Sequence, residues 1–335
     1  MLISVVIPSK NEETNIERCI QSVIASTKGL NNIEILLVDC ASTDKTIAIA
    51  KKYPIKILQL KPHWRHTAAA ARYIGSLFAS GEFIFFLDAD MVLEIGFLEK
   101  GLEILQQRND VAGVSGIGKE IFLKNNQELI NTTNLYQSKN TINTVKFLGG
   151  AALYRKTKLL EAGNFNPFLS ACEENELGQR LRLKGYSLIS LPLPMITHYT
   201  ANLGDWEEFL RKKRTNLYSG IGQAIRISHS FTYLIETLQY YKEFSLFLAY
   251  VLYILAAIVY VAISHTWINF IYLFTPGILL FLLLVIKKKN VRTAFISLLK
   301  WHIISFAIIK GLLKKPENPS NYPTEPLTIK KESNA

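Results

Sequence analysis

F-I-F-F-L-D-A-D-M, residues Phe83–Met91, turns abruptly from apolar to acidic. Its five leading apolar residues suit a strand buried on both faces, as in a parallel sheet. The run stops at Asp88 and Asp90. Carboxylates are rarely buried without partners, so these two belong at the strand's carboxyl end, where open α/β sheets place their ligands. Two aspartates one residue apart can share a hard divalent cation, and such a cation can also grip a diphosphate. Taken alone, the pattern fits an acidic turn better than a metal site.

The segments before it alternate in the same way. Leu2–Ile7, Ile33–Val38 and Ile55–Leu60 read as strands, the first too short for a signal peptide. Asn11 is expected to cap a helix from Glu12 to Ala25, and Ser42, Thr43 and Asp44 one that reaches Lys52. Thr67–Ser80 is an Ala-rich helix closed by Gly81. This rhythm predicts a mostly parallel sheet with ligands at the strand ends Pro8, Asp39 and Asp88. No G-x-G-x-x-G or Walker A sequence is present, so a bound nucleotide is held by carboxylates and a metal instead.

Downstream, Ile95–Gln107 reads as a helix and Val111–Ile117 as a strand. The polar stretch Asn125–Asn143 is expected to be a loop and helix over the site. Gly149 and Gly150 permit either close backbone approach to a ligand or a tight turn. Glu173, Glu174 and Glu176 lead into a helix read as Glu176–Lys184. Acids there complement the helix dipole, and one can also serve as a general base for a sugar hydroxyl.

The chain has 335 residues, 49% of them hydrophobic, with a net charge of +11. Without zinc-finger spacing or an RNA-binding signature, that charge points to membrane and phosphate partners rather than nucleic acid. Three cysteines at unrelated spacings suggest neither a disulfide framework nor a zinc site, and fit a reducing compartment. Phe244–Ile263 and Trp267–Ile286 are long enough to cross a bilayer, with a short turn between them at Ser264–Thr266. Basic residues flank both, which places the N-terminal domain in the cytoplasm. Trp206–Arg226 reads as an interfacial helix. Ala294–Leu313 carries Lys300, costly in lipid, and reads as interfacial or re-entrant in preference to a third span.

At this point the motifs V-V-I-P-S-K-N-E-E (Val5–Glu13), L-V-D-C-A-S-T-D-K-T (Leu37–Thr46), A-A-R-Y-I-G-S-L-F-A-S-G-E (Ala70–Glu82), L-D-A-D and E-E-N-E-L resemble, in order and spacing, the inverting glycosyltransferases of family 2. The resemblance covers about residues 2–190. It implies a GT-A fold, a nucleotide-diphosphate sugar donor and Mn²⁺ or Mg²⁺. It places Pro8, Lys10 and Glu12 along the nucleotide, Asp39 on the base, Arg72 near the diphosphate, Asp88 at the ribose or metal, and Asp90 on the metal. It makes Glu174 the catalytic base, in place of the family's usual Asp, which leaves Glu173 and Glu176 as alternatives. Tyr73 replaces a frequent Asn. R-K-K-R-T at Arg211–Thr215 lacks the Gln and Trp of the processive Q-x-x-R-W motif.

The expected organisation is a GT-A domain over 1–200, a basic interfacial segment over 201–243 and a transmembrane hairpin over 244–286. A basic helical segment over 287–315 and a disordered tail over 316–335 follow. The leading expectation is an integral membrane transferase that adds one sugar to a polyprenyl-diphosphate-linked acceptor at the cytoplasmic face. A polyprenyl-phosphate sugar synthase, like dolichol-phosphate-mannose synthase, is the nearest alternative, and an inactive membrane scaffold a remote one. Sugar, nucleotide base, linkage and oligomeric state are not encoded in these motifs.

Overall fold

The computed structural model describes residues 2–124, 127–134, 141–201, 205–228, 231–264 and 271–330. The chain forms two compact units, one of residues 1–204 together with 317–335, the other of residues 205–316.

In the first unit the elements run β1 (Ile3–Ser9), α1 (Ile16–Ser26), β2 (Ile33–Asp39), α2 (Thr46–Ala50), β3 (Lys56–Gln59), α3 (Ala68–Phe78), β4 (Phe83–Phe86) and β5 (Met91–Leu93). Then come α4 (Phe97–Gln107), β6 (Val111–Lys124), β7 (Gln127–Asn134), β8 (Asn143–Thr144), β9 (Ala152–Arg155), α5 (Lys156–Glu161), α6 (Glu173–Leu183) and β10 (Ser187–Ala201).

β3, β2, β1 and β4 lie side by side and parallel, as the apolar runs require. Beyond β4 the sheet continues through β9, β6, β10 and β5, with β9 and β5 running against their neighbours, so the sheet is mixed. One face packs Val5, Ile7 and Phe85 against α1 and α4. The other packs Val6, Ile84 and Phe86 against α3 and α6. Every residue of β4 is buried, which explains its unbroken apolar run.

Several boundaries differ from the sequence reading for identifiable reasons. Helix α1 starts at Ile16 because Glu12–Asn15 forms a turn whose Glu12 carbonyl accepts from the Asn15 and Ile16 amides. Asn11 does not cap it; its side chain accepts from the Thr43 amide at 2.8 Å and so ties the β1 and β2 ends together. Gln127–Asn134 is a strand paired with β6 where a loop and helix were expected; 125–126 and 135–140 lie outside the described residues.

The expected disordered tail is also ordered in part. Tyr322 is 2% exposed, and β11 (Leu327–Lys330) pairs antiparallel with β3 at the sheet edge. Composition pointed to disorder, but one aromatic anchor and a short apolar alternation suffice to dock it. Residues 331–335 lie outside the described set.

The second unit is helical: α7 (Asp205–Arg214), α8 (Leu217–Ser228), α9 (Phe231–Tyr240), α10 (Lys242–Ser264), α11 (Ile271–Lys288) and α12 (Val291–Leu313). The expected single interfacial helix over 206–226 is broken at Asn216, whose φ is +58°. Ser219–Ile225 of α8 is buried rather than laid on a surface. There α8 meets α12 backbone to backbone: a Cβ on Gly222 would strike the Ile308 carbonyl, and one on Gly311 the Ser219 carbonyl.

Phe244–Ser264 and Val291–Leu313 are long and apolar enough to cross a membrane, with mean hydropathy 2.6 and 1.6. Their apolar side chains are largely exposed, Ile263 and Phe306 among them. Helix α12 is continuous, and its Lys300 donates to the Asp205 carbonyl at 2.9 Å over the Trp206 and Phe209 rings. Helix α11 contains Pro276; the expected turn at 265–266 and the start of the second span at 267–270 lie outside the described residues.

Candidate active site

Strand order reverses between β1 and β4, and the carboxyl ends of these two strands open a cleft of about 230 Å³. Pro8, Lys10 and Glu12 leave β1 along one wall, Asp88 and Asp90 leave β4 along another, and His66 and Thr67 close it from the start of α3. Burial pushes the Glu12 carboxyl up to about 7 against the hydrogen bond from Asn15, and the charges of Asp90 and Asp88 add to the rise.

Arg72 lies on the buried face of α3, 2% exposed. Its guanidinium reaches Asp88 at 2.7 Å, Glu173 at 2.6 Å and Glu174 at 3.1 Å. One cation thus gathers the acid after β4 and two acids from the first turn of α6, residues about a hundred apart in sequence. Burial pulls the guanidinium pKa down, but the three carboxylates around it raise it further, so it stays charged. Its Nε has no partner among the described residues.

Burial raises the Asp88 carboxyl to about 6, against the pull of Arg72. The Glu174 carboxyl is also raised, first by burial and then by the charge of Glu173, with Arg72 opposing. Glu176 points elsewhere, gripped by Arg180 at 2.7 Å through both its oxygens, which removes it as a base. Gly150 stands against this cluster. A Cβ there would overlap the Asp88 carboxylate and come within 3.0 Å of Arg72 Nη2. Only a residue without a side chain fits this close to the acid.

Asp90 has a different neighbour. Its Oδ2 lies 3.0 Å from His198 Nε2, and the Thr200 hydroxyl lies 3.1 Å from His198 Nδ1 and donates to Glu120 at 2.9 Å. Burial would lower the His198 pKa, but the hydrogen bond to Asp90 and the surrounding carboxylates raise it. Asp90 Oδ1 is buried without a partner among the described residues. Sequence reading missed His198: it arrives through β10, where it sits opposite Met91 in an antiparallel pairing with β5. The only sequence signal was a histidine in a long alternating strand.

The donor set fits Mn²⁺ or Mg²⁺ held by few protein atoms. No group of three His, Cys, Asp or Glu with metal-binding geometry occurs among the described residues. A hard cation bound by one or two carboxylates and completed by phosphate and water is the usual Mg²⁺ arrangement, and the unsatisfied Asp90 Oδ1 offers one such oxygen.

Asp39 ends β2 fully buried, and its oxygens accept from Ser9, Ser42 and the Gln59 amide. It does not line the cleft as formed. Of the run His63–His66, His66 lines the cleft while Trp64 is buried and Arg65 donates to Ser170 at 2.8 Å.

Residues 4–162 match the family model described as glycosyl transferase family 2. The chain carries a glycosyl transferase family 2 domain. Relatives of this domain include the UDP-Glc:alpha-D-GlcNAc-diphosphoundecaprenol beta-1,3-glucosyltransferase WfgD of Escherichia coli, 29% identical over 50% of this chain and 63% of that protein. The dolichol-phosphate mannosyltransferase of Pyrococcus furiosus is 31% identical over 33% of this chain and 32% of that protein. The chain thus spans less than two thirds of the length of these relatives. The structure of S. aureus TarS 1-349 with UDP-GlcNAc superimposes with a TM-score of 0.52 at 18% identity, over 68% of this chain and 71% of that one. At that identity the likeness shows the fold, which is GT-A. The family match ends at residue 162, before α6, so Glu173, Glu174 and His198 lie beyond the matched stretch.

Proposed function

We propose that this protein is an inverting glycosyltransferase that moves one sugar from a nucleotide-diphosphate sugar to a lipid-linked acceptor at the cytoplasmic face of the membrane. The observation that carries the reading is the acid cluster around Arg72, which brings Asp88 to the same site as Glu174. The GT-A fold and relatives with lipid-linked substrates in their names support it.

In this reading Pro8, Lys10 and Glu12 flank the nucleotide, and Asp39 takes the base after exchanging one of its present donors. Asp90, with Asp88 beside it, would hold Mn²⁺ or Mg²⁺. When bound, that ion supplies charge stabilisation for the departing nucleoside diphosphate. Glu174 accepts the proton of the acceptor hydroxyl as its oxygen attacks the anomeric carbon. The bond from that carbon to the diphosphate oxygen breaks on the opposite side, which inverts the centre. Arg72 keeps the carboxylates from repelling one another apart, and Glu173 fixes the guanidinium from below. The two apolar helices keep the enzyme with its lipid acceptor.

A second reading, transfer to a lipid phosphate itself, draws on the Pyrococcus relative. Phosphate needs no base, so the two readings separate at Glu174. The test is release of nucleoside diphosphate from UDP-, GDP- and dTDP-sugars by membranes containing the protein, with Mn²⁺ or Mg²⁺ and either polyprenyl-diphosphate oligosaccharide or polyprenyl phosphate. Metal-dependent release with the first acceptor, lost in Glu174→Gln, is expected. Release with polyprenyl phosphate that persists in Glu174→Gln would replace it by the second reading. No release from purified, folded protein that also binds no nucleotide would overturn both.

A further inference from the structure

We propose that Tyr322, from the segment that follows the apolar helices, is a positioning residue for the active site described above. Its ring packs together the three stretches that carry the cleft wall, Arg72 and the acid pair. The proposal rests on the transferase reading for its kinetic consequences, and on packing alone for its structural ones.

Tyr322 meets Trp64 at 5.7 Å, Tyr73 at 6.0 Å and Phe168 at 5.6 Å between ring centroids, each edge to face. Its hydroxyl donates to the Arg65 carbonyl at 2.6 Å. Each contact leads within a few residues to the site. Trp64 and Arg65 precede His66 and Thr67, which line the cleft. Tyr73 follows Arg72 on α3. Phe168 lies in the loop that leads through Cys172, whose φ is +64°, to Glu173 and Glu174 at the start of α6.

Direct bonds also join these stretches, Arg72 to Glu173 at 2.6 Å and to Glu174 at 3.1 Å among them. Arg65 donates to Ser170 at 2.8 Å and Thr67 donates to the Pro167 carbonyl at 3.1 Å. Tyr322 fills the space they share. Its own segment is held at both ends, by Glu317 at 3.9 Å from Arg65 and by β11 on β3, where Lys330 donates to the Lys51 carbonyl at 2.9 Å. A flexible tail would need neither a buried ring nor a strand partner. The order of the segment is spent on one place, the junction behind the cleft.

The test uses the full chain in detergent or nanodiscs, with Tyr322→Ala, Tyr322→Phe and a chain ending at Pro316. Hydrogen exchange is read on peptides covering 61–74 and 165–176, with α4 as the reference. We expect Tyr322→Ala and the shortened chain to exchange about tenfold faster in both stretches with α4 unchanged, and Tyr322→Phe to stay near wild type. Faster exchange in one stretch only, in neither, or in α4 as well would overturn the proposal. The last outcome would make Tyr322 an ordinary core residue.

For the donor identified in the panel, Tyr322→Ala should raise KM and lower kcat about tenfold each, because small displacements of positioned groups are costly, and Tyr322→Phe should restore both. A fall in apparent kcat at unchanged KM, as from loss of folded enzyme alone, would also overturn it. Exchange is read without turnover. An enzyme inactive on every donor would therefore sink the transferase reading and leave the packing result standing.

Discussion

Arg72 answers three carboxylates with a single charge, and Glu174 is the least firmly held of the three, at 3.1 Å. Removing the guanidinium leaves the acids buried and uncompensated. Arg72→Met should therefore lower stability by about 3–5 kcal/mol, read as a fall in the thermal midpoint. Glu174→Gln keeps shape and partners but cannot take a proton, and should cut kcat by about 10²–10⁴-fold with the fold intact by circular dichroism. The raised Glu174 carboxyl sets the sign of the pH dependence. A base works when deprotonated, so kcat/KM should climb with pH through a midpoint above the ordinary 4.5. In Glu174→Gln that limb should vanish; an unchanged limb would assign the base elsewhere. Gly150→Ala forces a methyl into the Asp88 carboxylate and should reduce activity without touching Glu174.

At the scale of elements, the α8–α12 crossing is the tightest contact in the helical unit. Gly311→Leu must push Ser219 of α8 away and should cost about 1–3 kcal/mol or more, visible in thermal unfolding of the solubilised protein. The four parallel strands were legible because burial on both faces leaves an unbroken apolar signature, as in Phe83–Phe86. The acids at their ends were legible because buried sheets tolerate charge only there. His198 and the Tyr322 anchor were not. Both reach their places by strand pairing across long separations, β10 on β5 and β11 on β3, which no local pattern encodes. Asn11 misled because its side chain serves another loop rather than the helix it precedes. Glu176 looked equal to its neighbours until helical spacing set it against Arg180, four residues on.

For the whole molecule, the exposed apolar faces of Phe244–Ser264 and Val291–Leu313 lead to a simple expectation. The protein should stay in the membrane pellet through an alkaline carbonate wash, and release to the supernatant would contradict spanning. The catalytic unit is also discontinuous in sequence, since the chain leaves it at residue 204 and rejoins it at residue 317. Translation therefore delivers the apolar helices before the last strand and Tyr322 exist. During that interval β3 presents an unpaired edge, the kind of surface other chains add to. Newly made molecules pass through a stage with an exposed sheet edge that ends once Leu327–Lys330 has been made. A frameshift late in the helices would do its harm as an aggregating fragment as well as a missing enzyme.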